Sequence, residues 1–320
     1  LDQTYKMQEE QTVKPVVAKE RCPKLKACML KAWQPVPTWG STTITFLFIG
    51  LVMLAIGGIL TAVNMRIKEF SKEYSAACDG SAICTVYINI EEDMKPPIFF
   101  YYELDNYFQN HRRYVKSRSD TQLEGTYVNP SSLSTCSPIV YNKDLNWGTI
   151  KAIDGTTVLD PNGPAHPCGL IAWSFFNDTF TMTAPNSSAI YLNETSISWS
   201  SDKGKRYKNL ANASTTQWID VEDEHFIVWM RASGLPQFRK LWGRIEGTLS
   251  AGSYAVTIVN NYPKSFFDGT KSVVVSTTGP FGGKNQFLSI SYLAVGGASL
   301  FISFIFLVRM IISAKQKANQ

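Results

Sequence analysis

Three histidines, His111, His166 and His225, are the only imidazoles that this chain of 320 residues offers for acid–base or metal chemistry. None sits in an HExxH pair, and no GxSxG, Walker A or GxGxxG sequence is present. Metal-assisted hydrolysis, acyl transfer from a nucleophile elbow and phosphate cradling by a glycine loop therefore have no motif to carry them. Carboxylates cluster at Glu91-Glu92-Asp93 and at Glu222-Asp223-Glu224. Both stretches are polar and read as solvated loops. A glycosidase-type pair depends on spacing in three dimensions, and nothing in the sequence selects two of these acids for it. His111-Arg112-Arg113, followed by Lys116 and Arg118, is a basic cluster that reads as a structural or salt-bridged patch. A net charge of +5, without a long basic face, argues against a nucleic-acid partner.

Sulfur and amide chemistry is better represented. Cys22 and Cys28 lie in a polar N-terminal stretch and are expected to be reduced thiols; a C-x5-C pair without histidines makes a poor zinc site. No metal or cofactor is expected. Cys78, Cys84, Cys136 and Cys168 share the central region with four N-x-S/T sequons, at Asn177, Asn186, Asn193 and Asn212. An even number of cysteines beside clustered sequons points to an oxidising, glycosylating compartment. Four cysteines permit three connectivities. The reading taken is sequence-local, Cys78–Cys84 and Cys136–Cys168, with loop-entropy contributions of ~2.4 and ~3.7 kcal/mol.

The elements that hold these residues begin with two apolar runs. Ile44–Val63 and Leu288–Val308 contain no charged residue. At 1.5 Å per residue each is about 30 Å long as a helix, the thickness of a bilayer's hydrocarbon core. Charged residues make up 18% of the chain, below the roughly 25% of soluble domains. The first apolar run starts after residue 40, too late for a signal peptide. The expected organisation is a cytosolic tail (1–43), a span (44–63), a lumenal or extracellular ectodomain (64–287), a second span (288–308) and a cytosolic tail (309–320). Arg309, Lys315 and Lys317 after the second span favour cytosolic tails, and the sequons and paired cysteines decide for that orientation.

The N-terminal stretch, broken by Pro15, Pro23, Pro35 and Pro37, cannot build a core and is expected to be extended. Lys19, Arg21, Lys24, Lys26 and Lys31 suit anionic lipid, and Ala32-Trp33-Gln34-Pro35 suits an extended peptide anchored on a partner. The ectodomain reads as β. Thr85–Ile90, Ile98–Tyr102, Phe226–Met230, Tyr254–Val259 and Ser272–Ser276 are short β-branched and aromatic runs, and Ile197 and Trp199 alternate in SISWS. Asp154-Gly155 and Asp268-Gly269 read as turns. Many short strands suggest an antiparallel sandwich. Leu104, Tyr107, Phe108, His111 and Val115 fall at helical spacing, so a helix is expected within Asp105–Lys116. The spans carry small residues at Gly57-Gly58 and Gly296-Gly297-Ala298-Ser299 but no ionisable group for a proton or ion path. Three readings remain open at this level: an accessory subunit, a two-span ligand-gated channel subunit, and a membrane-anchored lumenal enzyme.

Longer words in the sequence discriminate among them. Tyr102–Arg118 reads YELDNYFQNHRRYVKSR, Pro167–Thr179 reads PCGLIAWSFFNDT, and His225–Ile245 reads HFIVWMRASGLPQFRKLWGRI. Asn260-Asn261-Tyr262-Pro263, Phe267–Lys271, Ser276-Thr277-Thr278 and Gly282–Asn285 follow in order. From about residue 30 to 308 the chain resembles the non-catalytic β-subunits of type-IV P-type ATPases, the lipid flippases (the cell-division-control-fifty and ligand-effect-modulator family). Gly279-Pro280 stands where that family usually has Ser-Trp, Trp242 replaces a common Tyr, and further cysteines common near Cys78–Cys84 are missing. The resemblance implies a one-to-one heterodimer with a catalytic ATPase that moves phospholipid to the cytosolic leaflet. It implies a role in that enzyme's folding, exit from the endoplasmic reticulum and transport cycle, and residence in endoplasmic reticulum, Golgi or endosomal, and plasma membranes. Expected partner contacts are Trp33, Gln34 and Pro35, the basic residues Arg112, Arg113, Lys116 and Arg118, and Asn260, Asn261, Tyr262 and Pro263.

Overall fold

The computed structural model describes residues 37–319, so Trp33, Gln34, Pro35, Cys22 and Cys28 lie outside the described residues. Two helices are long and apolar enough to cross a membrane, α1 (Trp39–Asn64) and α7 (Gln286–Ala318). Each runs past the span expected from hydropathy at both ends. Their side chains are largely uncovered by protein, Ile44, Phe48, Leu51, Phe301 and Phe304 among them. A soluble core helix would bury those faces; a helix that faces lipid leaves them outward.

The chain divides into two units. One holds residues 37–50 and 298–319. There Phe306 packs on Trp39 and Phe46 (5.7 and 6.3 Å between ring centroids), and the Ser303 hydroxyl donates to the Thr43 carbonyl at 2.9 Å. The other unit, Leu51–Gly297, contains the remaining helical turns and the whole ectodomain. In it, a Cβ placed on Gly57 would lie 2.9 Å from the Leu293 side chain, and one on Gly296 would lie 2.9 Å from Leu54. Glycine at these two positions sets how closely the helix backbones approach.

The ectodomain is a sandwich of two four-stranded antiparallel sheets. Its strands are β1 (Glu69–Glu73), β2 (Ile83–Ile90), β3 (Ile98–Leu104), β4 (Thr179–Thr183), β5 (Ala189–Ile190), β6 (Phe238–Ile245), β7 (Gly252–Val259) and β8 (Lys271–Thr277). One sheet has the order β1-β8-β3-β6 and the other β2-β7-β4-β5. Alternation places Ile98, Phe100, Tyr102 and Leu104 of β3, and Tyr254, Val256 and Ile258 of β7, in one shared core. Trp242 is the extra residue of a bulge in β6 opposite Phe100 and Tyr101. The bulge turns its ring inward, edge-on to Phe180 and stacked on His225 at 4.0 Å.

Four sequence-based runs thus become strands, and one does not. Phe226–Met230 belongs to a helix, α6 (Glu224–Met230), started by the Asp223 side chain, which accepts from the His225 N–H at 3.2 Å. Its apolar residues are buried on several sides, so no polar stripe betrays the helical period. SISWS is not a strand either. Glu224 accepts from the Ser196 N–H, the Ser198 N–H and the Ser198 hydroxyl, and satisfies the backbone that a sheet partner would otherwise bond. Glu222-Asp223-Glu224 is therefore structural rather than a solvated loop. Of the helix expected within Asp105–Lys116, only α2 (Arg112–Lys116) forms. Asn106 takes a left-handed conformation and the Tyr107 N–H bonds to the Pro236 carbonyl, which breaks the earlier turns.

The short helices are α3 (Asp120–Leu123), α4 (Leu170–Trp173) and α5 (Ala213–Thr216); Leu170 and Trp173 of α4 pack on a smaller second core of Leu133, Ile139, Leu145, Leu159 and their neighbours. The Cys136–Cys168 bond lies within it, and Cys78–Cys84 lies at the edge of the main core. Gly169 joins the second core to α2. Its φ is +102°, and a Cβ there would fall 2.0 Å from the Ser117 carbonyl oxygen, so no other residue fits.

Candidate partner interface

The three histidines serve three different environments. His111 is exposed, His166 is buried in the second core, and His225 is held between Trp242 and Glu194, whose carboxylate is 3.0 Å from Nε2. Among the described residues no group of three or more His, Cys, Asp or Glu is placed to hold a metal ion.

What the motif words do bring together is a buried polar hub between the sheets. Lys271, first residue of β8, is 2% exposed. Its ammonium donates to Asp178 Oδ2 (2.8 Å), Asn260 Oδ1 (2.5 Å) and the Tyr262 carbonyl (2.6 Å). Asp178 also accepts from the Tyr74 hydroxyl at 2.8 Å and the Tyr262 N–H at 2.6 Å. Burial pulls the Lys271 pKa below its ordinary value, and the Asp178 carboxylate opposes that pull. Burial, reinforced by the Asp178 charge, holds the Tyr74 phenol well above its ordinary range. An ion pair this deep persists because every polar atom has a partner. Asn260 donates to the Cys78 and Ser81 carbonyls, and Asn261 donates to the Asn177 carbonyl at 3.1 Å. The Tyr262 hydroxyl donates to the Ser174 carbonyl and lies 3.1 Å from the Tyr107 hydroxyl. Asn260 and Tyr262, expected as partner contacts, are thus bonded internally; Asn261 and Pro263 remain at the surface.

The basic cluster divides. Tyr114 anchors α2 inward through a 2.7 Å bond between its hydroxyl and that of Ser174. Arg112, Arg113 and Lys116 are left exposed and make no ion pair among the described residues. Arg118 instead pairs with Asp120 at 2.9 Å. Beside α2, Phe108, Tyr114, Trp173, Phe266 and Phe267 line an open aromatic cleft of about 530 Å³. Phe108 is 56% exposed and Phe266 48%, unusual for rings of that size. Trp173 lies in one of the motif words and Phe266 in none; only the fold shows that they meet, 5.4 Å apart.

Of the sequons, Asn177, Asn186 and Asn212 are exposed. Asn193 is half-buried, and its amide donates to Glu246 at 2.7 Å.

Residues 61–316 match the profile of the LEM3 (ligand-effect modulator 3) family / CDC50 family. The chain belongs to the CDC50/LEM3 family. This is the family that its motif words resemble. Relatives include "ALA-interacting subunit 3" of Arabidopsis thaliana, 35% identical over 317 residues that cover 90% of this chain and 85% of the relative. "Cell cycle control protein 50A" of Mus musculus is 34% identical over 331 residues, 87% of this chain and 85% of its own. "Cell cycle control protein 50B" of Homo sapiens is 31% identical over 335 residues, 87% of this chain and 90% of its own. As a CDC50-family member the chain is a two-span membrane protein with a disulfide-bonded sheet ectodomain.

Proposed function

We propose that this chain is the accessory, non-catalytic β-subunit of a phospholipid-flipping P-type ATPase, and that it forms a one-to-one complex with that enzyme. The observation that carries the reading is the family match over most of the chain, to relatives one of which is named as an interacting subunit. In this reading the chain supports the folding of the ATPase, its exit from the endoplasmic reticulum and its transport cycle toward the cytosolic leaflet. The tails face the cytosol, and the ectodomain faces the lumen or exterior, where glycans are added at Asn177, Asn186, Asn193 and Asn212. The complex resides in endoplasmic reticulum, Golgi or endosomal, and plasma membranes.

Contact is made in three layers. The tail around Trp33, Gln34 and Pro35 lies along the partner's cytosolic face. Helices α1 and α7, uncharged across their apolar runs, pack in the membrane. The outer layer is the surface of Arg112, Arg113 and Lys116 with Asn261 and Pro263, placed over the partner's lumenal loops; free cations on a rim steer association with acidic loops.

The test is expression with and without a candidate ATPase. The purified chain alone should hydrolyse no ATP and flip no lipid, and the ATPase should leave the endoplasmic reticulum only when the chain is present. Ion current or substrate turnover by the isolated chain overturns the proposal.

A further inference from the structure

The base of the ectodomain, where the chain leaves α1, carries large apolar side chains outward. Helix α1 ends at Asn64, and Met65 directly after it is 80% exposed. Phe281 stands at the tip of a tight hairpin closed by two backbone bonds between Gly279 and Gly282, and it is 69% exposed. The hairpin lies against the end of α1: a Cβ on Gly279 would be 3.3 Å from the Val63 side chain. Val63 is the last residue of the first apolar run. Two uncovered apolar side chains at the level where a span leaves hydrocarbon mark a surface that rests in the interfacial region of the bilayer.

A cation-lined cavity opens beside this surface. Strand β8 ends there at Thr277, whose N–H donates to the Lys68 carbonyl at 2.9 Å and which pairs with Ile98 of β3. Arg66 and Lys68 from the α1–β1 connection, Asp93, Lys95 and Pro96 from the β2–β3 connection, and Thr278 after β8 line a cavity of about 290 Å³. The Lys68 ammonium is occupied: it lies 2.7 Å from Glu92 and donates to the Asp93 carbonyl at 2.8 Å. The Asp93 carboxylate accepts from the Ala251 N–H at 2.8 Å. Arg66 and Lys95 are exposed and make no ion pair among the described residues. Two free cations against one carboxylate already engaged leave the cavity an excess of positive charge, with the Thr278 hydroxyl as a further donor. A small anion with several acceptor oxygens matches that set, and a guanidinium suits a phosphate in particular. We propose that this cavity holds the phosphodiester of a glycerophospholipid from the leaflet that the ectodomain faces. Arg66 and Lys95 meet its oxygens, and its acyl chains run into the bilayer past Met65 and Phe281. A soluble phosphate carries the same oxygens but lacks the chains that would cover those two side chains. The inference needs neither the ATPase nor the orientation proposed above.

Native mass spectrometry of the full chain in detergent, titrated with phosphatidylserine, phosphatidylcholine or diacylglycerol of the same chains, tests this. Both phospholipids should be retained and diacylglycerol should not. The apparent Kd for phospholipid should rise about tenfold in Arg66→Ala/Lys95→Ala, the loss of a charge-assisted bond. It should stay in place in Lys205→Ala/Lys208→Ala, which removes two exposed lysines outside the cavity. Millimolar inorganic phosphate should not displace the lipid. A cryo-EM map of the unmodified chain in nanodiscs should show phosphate density between Arg66 and Lys95 that continues into two chains. Equal Kd values for the two double variants, equal retention of diacylglycerol, displacement by inorganic phosphate, or protein density filling the cavity overturns the proposal.

Discussion

Lys271 is a single residue on which two sheets and three motif words depend. Replacing it with methionine leaves Asp178 charged and buried with only neutral donors, Tyr74 and the Tyr262 N–H. Lys271→Met should cost about 3–5 kcal/mol in denaturant unfolding. Asp178→Asn on the same background should recover part of that loss, because the uncompensated charge goes with it; losses that simply add would show that the pair is not coupled. His166 supplies a pH dependence. Burial lowers its pKa from 6.5 to about 4. Above pH 6.5 neither the folded nor the unfolded chain protonates it. Between 6.5 and about 4 the unfolded chain takes up a proton that the folded chain refuses, so stability falls as pH falls through that window. The loss should approach ~3 kcal/mol by pH 4, and His166→Asn should flatten this part of the melting-temperature profile. In the sequence Lys271 closes a motif word and His166 is one of three histidines, but nothing there says what either side chain touches. The partners of the Lys271 ammonium lie up to 93 residues away along the chain, and no local pattern encodes them.

At the scale of elements, legibility followed from how many sides of an element are buried. The strands β3 and β7 bury one face and show it as alternation, and both membrane helices announce themselves by length without charge. Helix α6 buries Phe226, Ile227, Trp229 and Met230, so its composition imitates a strand, and it is the structure that shows Asp223 capping its start. The aromatic cleft was not legible, because its residues come from four separate stretches of chain. The pairing of α1 with α7 makes a sharp prediction. Gly57→Ala forces a Cβ to 2.9 Å from Leu293, whereas Gly58→Ala meets nothing within 4 Å. Thermal melting in detergent should show a loss of about 1–3 kcal/mol for the first and no loss for the second. Equal effects would mean that helix propensity, and not close approach, governs the position.

For the whole molecule, the two disulfides should differ in weight. Cys136–Cys168 spans 32 residues and Cys78–Cys84 spans 6, so Cys136→Ser/Cys168→Ser should destabilise by about 1 kcal/mol more than Cys78→Ser/Cys84→Ser, read from denaturant midpoints. Reversal of that order would place the main constraint in the first core. The sheet order has a different consequence, in time and not in energy. In β1-β8-β3-β6 the last strand to be synthesised lies between the first and the third. The Asp178 carboxylate likewise waits for Tyr262 and Lys271, made 84 and 93 residues later. Neither this sheet nor the hub can close until the chain just ahead of α7 has been made. Under the proposed glycosylation, all four sequons remain until then on an open chain, accessible to the modifying enzyme. Nascent chains arrested before Lys271 should therefore be fully glycosylated yet protease-sensitive throughout the ectodomain, and resistance should appear in one step once β8 has emerged. Early resistance of the segment Ile83–Ile90 would show that assembly does not wait for its last strand.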